Sequence, residues 1–98
     1  MARYLILWDL DSSMVPSDPR ERAAAWSLML DMVEDDMKSG YLKDWAAYLG
    51  ELAGYSIVEG DELEVATRCQ KYMPAVQFTV RPLTSVADLR QILASAPK

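Results

Sequence analysis

The sequence predicts a single α+β domain spanning residues 1–98, with the element order β-α-β-β-α-β and a short helix after the last strand. Three observations carry this expectation. Two segments open with a helix start of capping-box type, at Asp18-Pro19-Arg20-Glu21 and at Asp61-Glu62-Leu63-Glu64. Short apolar or alternating runs flank both helices, in strand-helix-strand order. A glycine-bounded segment, Gly50-Glu51-Leu52-Ala53-Gly54, joins the two halves as a hairpin connection.

Each element follows from its own residues. Residues 2–10 are nearly all apolar at their centre, Tyr4-Leu5-Ile6-Leu7-Trp8, as in a strand with both faces buried. Residues 11–17 are a loop by composition. Asp18 caps the first helix and Pro19 suits its first position, because the amide that proline lacks has no partner there anyway. Trp26, Met29, Leu30, Val33 and Met37 then recur at helical spacing as one apolar stripe. Gly40 stops the helix, which is expected at 19–39. The second strand is expected at 41–49, carrying Tyr41, Leu42, Trp45, Tyr48 and Leu49, and the third at 55–59. Val65, Ala66, Cys69, Tyr72 and Met73 share one face of the second helix, which Pro74 ends. Val76, Phe78 and Val80 alternate with Gln77, Thr79 and Arg81 in the fourth strand, whose regular pairing should stop at Pro82. Thr84 or Ser85 caps a terminal helix carrying Val86, Leu89, Ile92 and Leu93.

Composition narrows the chemistry. The chain has 98 residues, 51% apolar and 26% charged, as expected of a globular domain. A chain of this length buries only ~60–65% of its unfolded surface, so association with a second copy would add useful burial. The net charge is −5 and no basic stripe is present, which speaks against nucleic acid as a partner. No apolar run approaches the ~20 residues of a membrane span, and no membrane partner is expected. The opening residues lack the sections of a signal peptide, and a single cysteine forms no internal disulfide. The cytoplasm is the expected location.

The two main helices can cover only one face of a four-stranded sheet. The first strand offers apolar residues on both sides: Arg3, Leu5, Leu7 and Asp9 on one, Tyr4, Ile6, Trp8 and Leu10 on the other. An apolar sheet face left open by the helices marks an interface. The element order, the Trp45-bearing second strand, the segment Gly54-Tyr55-Ser56-Ile57-Val58-Glu59-Gly60-Asp61 and the ending Phe78-Thr79-Val80-Arg81-Pro82-Leu83 resemble the dimeric α/β-barrel group of ferredoxin-like proteins. The resemblance is closest to its small members of unassigned activity. It extends more distantly to muconolactone isomerases and antibiotic-biosynthesis monooxygenases. It implies a ferredoxin-like sandwich, a homodimer with two sheets face to face, and room for a ligand between sheet and helices. Fold alone assigns no activity.

The candidate chemistry is sparse. There is no histidine, so histidine-dependent catalysis and histidine metal ligands are ruled out. Neither a metal nor a cofactor is expected. Glu34-Asp35-Asp36 is the densest acidic cluster, but consecutive helical residues diverge by about 100° and cannot converge on one ion, so the run reads as a solvated face. Cys69 lies on the apolar stripe of the second helix and reads as core rather than nucleophile. Trp26, Met29 and Met37 suggest a soft pocket, although their spacing equally describes helix core. The candidate ligand-binding residues are Arg81, Tyr48, Trp45, Asp44 and Thr79, on or beside strands. Arg81 could pair with Asp44 or Asp9, or grip a carboxylate through two parallel hydrogen bonds. A structural polar network or a solvated face is the simpler explanation of the same set. The expected function is a small-molecule-binding or accessory module working as a homodimer. The alternative is a metal-independent isomerase or cofactor-free monooxygenase acting on a small, partly aromatic molecule, with Arg81, Tyr48 and Trp45 positioning it.

Overall fold

The computed structural model describes residues 2–97; residues 1 and 98 of the expected domain lie outside that range. The order along the chain is β1 (Arg3–Leu10), a single 3-10 turn (Ser12–Met14), α1 (Pro19–Lys38), β2 (Leu42–Ala47), β3 (Ala53–Glu59), α2 (Glu62–Gln70), β4 (Val76–Leu83) and α3 (Val86–Ala94). The four strands form one antiparallel sheet in the order β2-β3-β1-β4, compatible with the ferredoxin-like arrangement. The α+β class and the sequence of elements match the expectation.

The helix ends form as their residues dictate. Asp18 accepts from the Arg20 amide at 2.8 Å and Asp61 from the Glu64 amide at 2.8 Å. Gly40 takes φ +84° just past α1, a conformation closed to most side chains. Pro82 departs from the expectation. It remains in register opposite Tyr4, and β4 continues to Leu83. β4 is an edge strand, where one row of amides has no partner strand, so proline can be accommodated there.

Both main helices pack on one face of the sheet. There Tyr4, Ile6, Leu42 and Val58 meet Val33 of α1 and Val65 and Cys69 of α2. Trp8 anchors the other end of this layer. Its ring stacks on Trp45 at 5.1 Å and 9° and meets Trp26 of α1 edge-on at 6.4 Å. Gly54, directly opposite Trp8, is the residue that makes room. A Cβ there would collide with the Ala46 carbonyl oxygen and lie 2.5 Å from the Trp8 ring. Gly54 therefore belongs to β3 and not to the hairpin connection assigned from sequence.

α3 stands apart. Val86, Leu89, Ile92 and Leu93 are all exposed, and the molecule extends over 63 × 24 × 20 Å. Its radius of gyration of 16.5 Å exceeds the roughly 13 Å of a compact chain of this length.

Candidate functional site

The helix-covered side holds an apolar pocket of about 300 Å³ beside α1. Three segments build it: the middle of α1 (Trp26, Met29, Met32), the loop after β1 (Met14, Val15, Pro16) and the stretch between α2 and β4 (Tyr72, Met73). Arg22 and Lys71 contribute to its wall, and Asp11 is the acidic residue among them. The volume matches the lower range for small organic ligands, and thioether side chains adapt readily to an occupant's shape. Deeper in, a void of about 40 Å³ lies between sheet and helices, enough for water but not for an organic molecule.

The pocket's inner wall is held by a buried carboxylate. Asp36 on α1 is only 3% exposed. Its Oδ1 accepts from Arg68 Nη1 at 2.8 Å and from Lys71 Nζ at 2.9 Å, and its Oδ2 accepts from the Tyr72 hydroxyl at 2.9 Å. The Arg68 guanidinium also lies 4.5 Å from the Tyr41 ring centroid and bonds Glu64 at 3.3 Å. One carboxylate thus ties α1 to α2 and to the segment that follows it. Burial raises the Tyr72 and Tyr41 hydroxyls well above the ordinary phenol range, and the hydrogen bond to Asp36 adds to this for Tyr72. The Cys69 thiol is pushed up by burial and by the Asp36 charge, as befits a core residue rather than an activated thiolate.

This corrects the reading of Glu34-Asp35-Asp36. Glu34 and Asp35 are exposed, but Asp36 is buried and charge-paired. The inward stripe of α1 runs Trp26, Met29, Val33, Asp36. Met37, expected on it, is 47% exposed. The cations that make burial of Asp36 tolerable, Arg68 of α2 and Lys71 just after it, lie more than thirty residues away, so nothing local to α1 reveals them.

The five candidate binding residues do not converge. Trp45 lies in the covered layer against Trp8. Tyr48 follows β2 and is exposed. Asp44, Thr79 and Arg81 lie on the open face. There Asp44 accepts the Tyr55 hydroxyl at 2.6 Å, raising that phenol above its ordinary value. Asp44 and Arg81 occupy the same row of the sheet, Asp44–Ile57–Leu5–Arg81, but at opposite edges, three strand spacings or about 14 Å apart. Asp9 is four residues along β1 from Arg81's partner Leu5, about 13 Å away. Neither carboxylate can pair with Arg81 within one chain. Among the described residues the one ion pair between strands is Arg3 with Glu59 at 3.0 Å, which lowers the Glu59 carboxyl.

No family model matches the chain, and no curated protein matches it significantly. Among the described residues no helix is long and apolar enough to cross a membrane.

Proposed function

We propose that the chain is a homodimeric small-molecule-binding module, built as a dimeric α/β barrel, whose ligand occupies the pocket beside α1. The observation that carries this is the pocket itself: an apolar volume of about 300 Å³ lined by Met14, Trp26, Met29, Met32 and Met73, with Arg22 and Lys71 in its wall. An apolar body with one anionic group, such as a small aromatic carboxylate, suits that lining. Binding is favoured over catalysis because the polar groups at the wall are already engaged. The Tyr72 hydroxyl and the Lys71 ammonium both donate to Asp36, and Arg22 donates to the Ser17 carbonyl at 3.3 Å. They stiffen the wall, and Asp11, its acidic residue, accepts from the Ser13 amide and hydroxyl. The open sheet face, with Leu5, Leu7, Tyr55 and Ile57 at its centre, supports the second copy.

Native mass spectrometry of the gently purified protein tests both parts together. The expected result is twice the chain mass, with a small organic molecule released on activation. Quenching of tryptophan fluorescence by small aromatic carboxylates should follow, and be lost in Met29→Trp, which fills the pocket. Absence of retained ligand together with no quenching by any carboxylate in the panel would overturn the binding reading.

A further inference from the structure

The open face of the sheet carries charge at its edges in a pattern that matches itself. Counting across β2-β3-β1-β4, one row reads Asp44, Ile57, Leu5, Arg81, and the next reads Ala46, Tyr55, Leu7, Thr79. In the row beyond Asp44, Glu59 of β3 stands beside Arg3 of β1. Reversing the left-right order of these rows exchanges acid for base at two places and keeps apolar on apolar at the centre, while Ala46 comes to lie on Thr79. Asp44 trades places with Arg81, Glu59 with Arg3, Ile57 with Leu5, and Tyr55 with Leu7.

We infer that two copies pack open face to open face about a two-fold axis parallel to the strands, with Arg81 of each chain paired to Asp44 of the other. This rests on the homodimer proposed above and specifies its geometry. A two-fold in the interface plane and parallel to the strands performs that left-right reversal, laying each β4 over the other copy's β2. Arg81 and Asp44, which form no ion pair within one chain among the described residues, then satisfy each other across the interface. Asp44 has acceptor capacity to spare, since the Tyr55 hydroxyl occupies one site on Oδ2 and the Trp45 amide one on Oδ1 at 3.0 Å. A two-fold perpendicular to the strands would instead lay each strand on its own copy. Arg81 would face Thr79 and Asp44 would face Ala46, stranding both charges as the interface dries. Facing sheets in such packings cross at about 30°. Edge strands about 7 Å from the axis are thereby displaced by only about 4 Å, which an arginine side chain spans.

β4 ends at the edge where the other copy's β2 begins, and α3 follows it with Val86, Leu89, Ile92 and Leu93 exposed within its own chain.

Sedimentation equilibrium on four proteins tests this: wild type, Arg81→Asp, Asp44→Arg and the double exchange. Both side chains are exposed and far from the core, so each variant should keep the wild-type circular dichroism and urea midpoint when dilute. Each single reversal should weaken the dimer at least tenfold, because it sets like charges against each other at two symmetric positions. The double exchange should recover the wild-type dissociation constant to within about threefold. A dimeric wild type with no recovery in the double exchange overturns the axis and leaves the homodimer standing. A wild type that stays monomeric at micromolar concentration overturns the homodimer itself.

Discussion

Two tyrosines donate to two aspartates on opposite sides of one sheet. Tyr72 bonds Asp36 at 2.9 Å on the helix-covered side, and Tyr55 bonds Asp44 at 2.6 Å on the open side. The contacts are alike, but their surroundings are not. Asp36 is nearly inaccessible and takes two cations besides the phenol. Asp44 is exposed and, among the described residues, forms no ion pair. Hydrogen-bond length alone therefore says little about energetic weight. What matters is whether water can replace the partner once it is lost.

That contrast can be broken most sharply at the carboxylates. Asp36→Ala should cost about 2–3 kcal/mol in urea unfolding. The figure lies at the low end for a buried pair because Arg68 and Lys71 remain partly solvated. Asp44→Ala, measured on dilute protein, should cost under about 0.5 kcal/mol. Equal losses at the two sites would refute the distinction. The phenols give a smaller difference. Tyr72→Phe should cost about 1.5 kcal/mol and Tyr55→Phe clearly less, since only the first leaves a buried carboxylate one donor short.

The two sides of the sheet also differ in pH dependence. Burial holds the protons of Cys69, Tyr41 and Tyr72 beyond their ordinary values of 9.0 for the thiol and 10.0 for the phenols. In the unfolded chain these groups ionise at those ordinary values. The folded state then binds more protons, so this contribution to stability is complete below about pH 9 and is lost as pH rises. Tyr72→Phe should make the decline shallower, and Tyr55→Phe should change it less. A wild-type urea midpoint that stays flat between about pH 8 and 11 would contradict the burial of these groups.

Much of this was readable from the residues. The helix caps at Asp18 and Asp61, the inward set Val76 and Phe78 on β4, and Cys69 as core all follow from local pattern. Such patterns report what one element needs. They failed where a distant element decides the outcome. Asp36 lies within an acidic run, and only Arg68 of α2 and Lys71 just after it turn it inward. Gly54 looks like a turn residue until the Trp8 ring is placed across from it. Trp26 and Met29 hinted at a pocket, but Met14, Met32 and Met73 complete its lining, and two of those come from segments outside α1. An ion pair of Arg81 with Asp44 inside one chain, expected from their chemistry, does not form. Only the strand order shows them to be at opposite edges.

The arm formed by α3 has a consequence for folding. Nine residues are too few for a helix to hold itself in water, where about 12–15 are needed even for favourable sequences. The cap from Ser85 to the Asp88 amide at 3.0 Å contributes about 1 kcal/mol, less than the cost of nucleation. With its apolar side exposed in its own chain, this helix derives its persistence from whatever comes to lie on it. The amides of residues 89–94 should therefore exchange with solvent at a rate set by protein concentration, while those of β1 exchange at a rate set by the stability of the sheet.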